Sequence, residues 1–166
     1  MAKTTRLGSG VVVGGVTVLV TVGLVLTRRR RLAAYLAITV IGVALLNGAA
    51  KLLVDRRRPP AAVWLQHPHA SSFPSGHSAA AAATYVALGM VVLALTRSTT
   101  WRALAWTAFV TIVLAVGVSR VYLGVHWTTD VLAGWAVGTL WALGVHHAFG
   151  LDYAVAATDD SKLPSP

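Results

Sequence analysis

The chain has 166 residues, among them no cysteine and no glutamate. The first absence excludes disulfides, cysteine-based zinc sites and thiol nucleophiles. The second leaves five aspartates as the only side-chain carboxylates and rules out a His-Glu-x-x-His zinc helix. Charge is scarce as well. Asp, Glu, Lys and Arg make up 11% of the residues, against about 25% in soluble domains. The scarcity is uneven, since Lys and Arg number 14 and the formal net charge is +9. These basic residues sit between apolar runs rather than on a soluble face. They read as topogenic charge at a membrane surface, compatible with anionic headgroups, and not as a nucleic-acid footprint.

What fills the chain is apolar: 56% of residues are hydrophobic and the mean hydropathy is +0.69. A membrane-crossing helix needs about 20 mostly apolar residues. Five segments qualify, at 10–27, 32–54, 77–96, 102–119 and 128–149. Four arginines follow the first, with no small-residue cleavage site before them, so it reads as a retained span and not a signal peptide. The expected fold is all-α, a polytopic membrane helix bundle of about five spans. Residues 1–150 form one domain and 151–166 a polar C-terminal tail.

Five spans place the N-terminus, the loop 55–76 and the loop 120–127 on one face. Arg28–Arg31, Arg97, Arg102 and the tail fall on the other, which the positive-inside rule makes cytoplasmic. Trp64, Trp101, Trp106 and Trp127 lie near span ends, where aromatic belts form. Gly10–Gly14 and Gly134–Gly138 match a close-packing pattern, which leaves a homo-oligomer open. His146 and His147 read as interfacial.

The costly polar groups collect on the first face. Lys51 closes the second span. Arg56, Arg57 and Arg58 follow it, before Pro59 and Pro60 stop any helix. Pro74-Ser75-Gly76-His77 opens the third span, and Arg120, His126 and Asp130 separate the fourth from the fifth. Ionisable residues at span edges mark functional sites. Snorkelling explains Lys51 or Arg56 alone, but not two histidines and an aspartate.

Lys51, Arg58 and Arg120 supply cations for a phosphate. Ser75, Gly76 and His77 open a helix whose N–H groups attract anions, and Gly76 admits a close backbone approach. If helix begins near His126, Asp130 lies one turn on, along the same face. The carboxylate would fix the imidazole tautomer and free the other nitrogen to attack phosphorus. His77 would protonate the leaving alkoxide and later activate water. His67, His69, His77, His126 and Asp130 could be drawn as zinc ligands, but the surrounding cations oppose a divalent metal, so a metal-free mechanism without cofactors is expected. His67 and His69 read as solvated loop residues.

These residues resemble the type 2 phosphatidic acid phosphatase (PAP2) superfamily. Its first block, K-x6-RP, is matched by KLLVDRRRP at 51–59; its second, PSGH, at 74–77; its third, SR-x5-H-x3-D, by SRVYLGVHWTTD at 119–130. The resemblance implies a lipid phosphate or pyrophosphate phosphatase of the bacterial plasma membrane, with its site facing outside. It implies His126 as nucleophile, His77 as acid, Asp130 as partner of His126, and Lys51, Arg58, Ser75, Gly76 and Arg120 as phosphate ligands. Membrane members usually have six spans; this chain is expected to lack the first, through truncation or with a second protomer supplying the lateral wall of the lipid cleft. Polyprenyl pyrophosphate or phosphatidate-type lipids are the favoured substrates, with a polyprenyl-phosphoribose phosphate as alternative. A vanadate-dependent haloperoxidase is disfavoured by the spans. A non-enzymatic lipid-binding or transport subunit would not need both histidines and the aspartate.

Overall fold

The computed structural model describes residues 3–60, 64–65 and 71–151. His67, His69 and the polar tail beyond Leu151 lie outside them. The described residues form five α-helices and a short 3₁₀ turn, Thr4–Gly8. The helices are α1 (Gly10–Leu26), α2 (Arg30–Val54), α3 (Gly76–Leu95), α4 (Thr99–Tyr122) and α5 (Thr128–Ala148). Each falls on one of the expected apolar segments.

Local chemistry explains the boundaries. Ser9, Ser75 and Ser98 cap α1, α3 and α4, each accepting a backbone N–H with its hydroxyl. α2 ends where Asp55 turns left-handed at φ 34°, just before the Arg-Arg-Arg-Pro-Pro run. Asp130 sits in the first turn of α5, and its carboxylate accepts the Trp127 N–H at 2.9 Å.

Five helices stand where the five spans were expected. Three helices, α2, α3 and α4, are long and apolar enough to cross a membrane. α1 has 17 residues, short of the usual length of about 20. α5 carries Asp130 in its first turn and His146 and His147 in its last, which shortens its apolar stretch.

α3 is the centre of the bundle and packs against α2, α4 and α5. Of its apolar stretch 61% is buried within the protein, against 33% for α2 and 22% for α4. Its helical face of Ala79, Ala82, Ala83 and Ala87 is fully buried. α5 meets that face with glycine. A Cβ on Gly134 would lie 2.8 Å from the Ser75 carbonyl, and one on Gly138 would lie 2.9 Å from the Ala82 Cβ. The Gly134–Gly138 pattern thus serves contact inside one chain, while Gly10 and Gly14 face open space. This close approach ties the start of α3 to the start of α5, where the Ser75 N–H donates to the Asp130 carbonyl at 3.0 Å. Trp106 packs over Gly89 of α3, a helix contact where an interfacial anchor was expected.

Outward-facing side chains are strongly apolar, with Val11, Leu52 and Leu53 each at least 85% exposed. Patches of this kind mark a surface that meets lipid or partner. The two ends of the bundle differ, as the two faces were expected to. At one end the segment 55–60 meets 71–75 through the Ser72 N–H to the Arg56 carbonyl at 2.8 Å and meets 123–127 through Arg58 to the Val125 carbonyl at 2.6 Å, where the Leu65 N–H also donates to the Leu123 carbonyl at 3.1 Å. At the other, Arg28–Arg31, Ala94 and Leu151 line a cavity of about 390 Å³. His146 sits there edge-on to Tyr35, ring centres 5.5 Å apart.

Candidate active site

The polar end of the bundle draws its residues from every part of the chain. Lys51 comes from the last turn of α2, Arg58 from the loop that follows, Ser75–His77 from the start of α3, Arg120 from the last turn of α4, and His126 and Asp130 from the start of α5. The sequence reading placed Arg120 after the fourth span; α4 runs on to Tyr122 and includes it.

Lys51 and Arg58 converge on one acceptor. The Lys51 Nζ donates to the Ser71 carbonyl at 2.6 Å and Arg58 donates to it at 3.2 Å. Arg58 also donates to the Val125 carbonyl at 2.6 Å. Two cations on one carbonyl oxygen form a focus for an anion, whose oxygens would compete for the same donors. His77 lies within electrostatic reach of Arg120, Arg58 and Lys51, so all three sequence blocks meet in one cluster.

His126 is 4% exposed. Its Nε2 lies 3.3 Å from an Arg58 nitrogen. Arginine can only donate, so this contact makes Nε2 the acceptor and places the ring proton on Nδ1. Nδ1 faces the Asp130 carboxylate at 3.5 Å, longer than a formed hydrogen bond. The expected cause of this pairing was a shared helical face. Instead His126 precedes α5, whose first residue is Thr128, and the loop turn at Gly124–Val125 sets the imidazole beside the carboxylate. Gly124 has a φ of 70°, a conformation that suits glycine.

Asp130 is fully buried and densely bonded. Arg56 donates to Oδ1 at 2.8 Å, and the Trp127 N–H and the Ser72 hydroxyl donate to Oδ2. Arg56 also reaches the Thr129 hydroxyl at 2.7 Å. The sequence reading left Arg56 to snorkelling and gave Ser72 no role; both hold the carboxylate. No local signal marks them, because they reach Asp130 from 74 and 58 residues away. The Trp127 indole braces the same loop by donating to the Arg57 carbonyl at 3.1 Å.

Ser75 is buried, and its hydroxyl accepts from the N–H and hydroxyl of Ser78. Its side chain therefore caps α3 and leaves the other N–H groups of the first turn as the donors a helix N-terminus offers. Gly76 packs against Asn47, whose amide nitrogen would lie 3.1 Å from an added Cβ. Ser119 donates within α4 to the Val116 carbonyl at 2.6 Å. Among the described residues no group of three His or Asp side chains is placed to hold a metal ion.

Burial pushes the His126 imidazole down to about 3, with Arg58 and Arg120 next in effect and Asp130 opposing. Burial also holds Arg58 below its usual range, again with Asp130 opposing. His126 is thus neutral at ordinary pH, as a nucleophile must be. An unfolded histidine titrates at about 6.5. Above that value His126 is neutral in both states and contributes no pH dependence. Below it the unfolded chain takes up a proton that the folded chain refuses, so stability falls as pH drops from about 6.5 toward 3. His126→Gln is expected to flatten that fall in thermal unfolding scans of detergent-solubilised protein. A slope equal to wild type would show that another group carries it.

The architecture and the cluster have relatives. Residues 31–153 match the family model described as PAP2 superfamily. The chain is 41% identical over 97 residues to phosphatidylglycerophosphatase B of Bacillus subtilis, covering 58% of this chain and 47% of that protein. It is 34% identical over 121 residues to undecaprenyl-diphosphatase of Sulfolobus acidocaldarius, covering 70% and 54%. The chain thus spans about half the length of these relatives. The crystal structure of a transmembrane PAP2 type phosphatidylglycerolphosphate phosphatase from Bacillus subtilis superposes with a TM-score of 0.78 at 30% identity, over 89% of this chain and 73% of that one. Aquifex aeolicus LpxE shares the fold, with a TM-score of 0.68 at 22% identity over 88% of this chain and 82% of its own. With its motif residues gathered at one end of this bundle, the chain belongs to the PAP2 superfamily.

Proposed function

We propose that the chain is an integral membrane phosphatase that cleaves a lipid phosphate or pyrophosphate through a phosphohistidine on His126. The observation that carries this reading is the convergence of Lys51, Arg58 and Arg120 around two imidazoles, one of them backed by a buried carboxylate. His126 Nε2 attacks phosphorus in line with the leaving oxygen. Charge on the equatorial oxygens is met by Lys51, Arg58, Arg120 and the first-turn N–H groups of α3. His77 donates a proton to the leaving alkoxide or phosphate and then takes one from the water that hydrolyses the phosphohistidine. Asp130 keeps the Nδ1 proton in place and stabilises the imidazolium-like charge as the N–P bond forms.

Placement supports a lipid substrate. The cluster lies at the end of helices with apolar outer faces, so a tail can stay in hydrocarbon while its phosphate reaches the cations. The named relatives are phosphatases of phosphatidylglycerophosphate and undecaprenyl diphosphate, which supports phosphatidate-type and polyprenyl substrates alike. The four arginines at Arg28–Arg31 support a cytoplasmic position for that end, and with it a site on the outer face of the plasma membrane.

The test is phosphate release by purified protein from phosphatidate, phosphatidylglycerophosphate, polyprenyl pyrophosphate and polyprenyl-phosphoribose phosphate in EDTA. Turnover of at least one that persists in EDTA is expected. Loss of all activity in EDTA would overturn the metal-free mechanism, and no turnover of any would overturn the phosphatase reading. The chain lacks cysteine, so a single Leu65→Cys, at a residue 65% exposed, reports topology. Labelling of intact cells by a membrane-impermeant maleimide is expected; labelling only after lysis would reverse the orientation.

A further inference from the structure

The 3₁₀ turn Thr4–Gly8 lies outside the family match, which begins at residue 31, yet it touches two residues of the candidate site. The Arg120 guanidinium donates to the Thr5 hydroxyl at 2.9 Å across 115 residues of chain. Both groups are buried, Thr5 to 3% exposure and Arg120 to 5%. Gly8 lies flat against the backbone of His77, where an added Cβ would stand 2.8 Å from the His77 carbonyl and 2.6 Å from Val116 Cγ1. The Tyr85 hydroxyl of α3 locks the turn by donating to the Leu7 carbonyl at 3.0 Å.

From this we infer that Thr5 is a positioning residue for the phosphate reaction, aiming the Arg120 guanidinium from a segment that precedes the residues matched by the family model. The chemistry is that of a planar fork. A guanidinium matches phosphate oxygens only in a fixed orientation. A hydroxyl bonded to one terminal nitrogen sets the rotation of the plane and leaves the side chain less freedom to lose when the anion binds. Thr5 suits this role because its β-branched side chain is stiff about χ1, and because Gly8 and Tyr85 fix the turn that carries it. Thr5 does not itself meet the substrate; it acts through Arg120.

The inference rests on the phosphatase reading only in taking phosphate as the ligand of Arg120. Orthovanadate, which adopts the five-coordinate geometry of phosphoryl transfer, is the probe. Thr5→Val removes the hydroxyl and keeps the shape. It is expected to lower kcat about tenfold, the size of one hydrogen bond to a charged group. KM is expected to change little, and the inhibition constant for vanadate should rise by about the same factor as kcat/KM falls. Thr5→Ser is expected to restore most of both. A merely structural role would reduce the active fraction and leave the vanadate constant unchanged, because that constant does not depend on how much enzyme is active. A vanadate constant within twofold of wild type in Thr5→Val, or Thr5→Ser no better than Thr5→Val, would overturn the assignment. If the wild-type protein turned over no lipid phosphate, the phosphatase reading would fail by itself. The Thr5 assignment would then be decided by the vanadate-induced rise in Tm, expected in wild type and Thr5→Ser and reduced in Thr5→Val. An equal rise in all three would sink it.

Discussion

His126→Ala is expected to reduce turnover by about 10⁴-fold or more, the loss typical when a covalent nucleophile is removed from a preorganised site. The residue is 4% exposed, so part of the effect could be sought in folding, and the comparison that separates the two is binding. Lys51, Arg58 and Arg120 remain in the variant. Phosphate and vanadate should therefore still protect it against thermal unfolding, while protein incubated with ³²P-labelled substrate and quenched in alkaline detergent, where a phosphohistidine survives, should no longer retain the label that wild type retains. Label retained in His126→Ala would move the nucleophile to another residue, His77 being the next imidazole in the cluster. Full turnover in His126→Ala with no retained label would remove the phosphohistidine from the mechanism altogether.

Asp130→Asn carries the second-largest expected effect, a loss of about 10³-fold in kcat, by analogy of role with the carboxylate that orients a catalytic imidazole. The amide keeps the volume of the side chain in a fully buried position but changes three relations at once. It leaves the Arg56 guanidinium, 2.8 Å from Oδ1, without its counter-charge. It gives the Ser72 hydroxyl and the Trp127 N–H a weaker acceptor. It no longer favours the Nδ1-protonated tautomer of His126, which the 3.5 Å approach of Oδ2 supports. The Tm is expected to fall as well, since removing one partner of a buried ion pair costs about 3–5 kcal/mol; Arg56 is part-exposed, with 38% of its side chain accessible, which places this pair below that range. The kinetic and stability effects part company in Arg56→Gln. That change should reproduce part of the Tm loss while leaving kcat within about tenfold of wild type, because Asp130 keeps its charge. A kcat loss in Arg56→Gln as large as in Asp130→Asn would show that the ion pair, and not the aspartate–histidine relation, sets the rate.

The limits of the linear sequence show best at His126. Its four-residue spacing from Asp130 suggested a shared helical face. The structure keeps the proximity but brings it about by a loop turn, because α5 begins only at Thr128. The helices themselves were legible, since each is a run of apolar residues opened by a local cap or bounded by an Arg–Pro stop. Length and apolar composition alone are sufficient to cross a membrane in α2, α3 and α4, while α1 is a shorter apolar helix of 17 residues and α5 carries polar residues at both ends. The Gly134–Gly138 pair illustrates the same limit. Its spacing announces close packing but cannot say whether the partner is another copy or the alanine face of α3.

The sequence by itself determined the helical membrane class, the two chemically distinct ends of the bundle and which residues are proposed to bind and attack a phosphate. All of these are local signals, readable within one helix, cap or short motif. Only the tertiary structure decided how those residues are held. Arg56 and Ser72 clamp Asp130, the Ser71 carbonyl gathers Lys51 and Arg58, and Thr5 meets Arg120. These contacts join positions 13 to 115 residues apart. They arise because α2, α4 and α5 all pack against α3 and so bring their polar ends together, a consequence of packing that no single stretch of the chain contains.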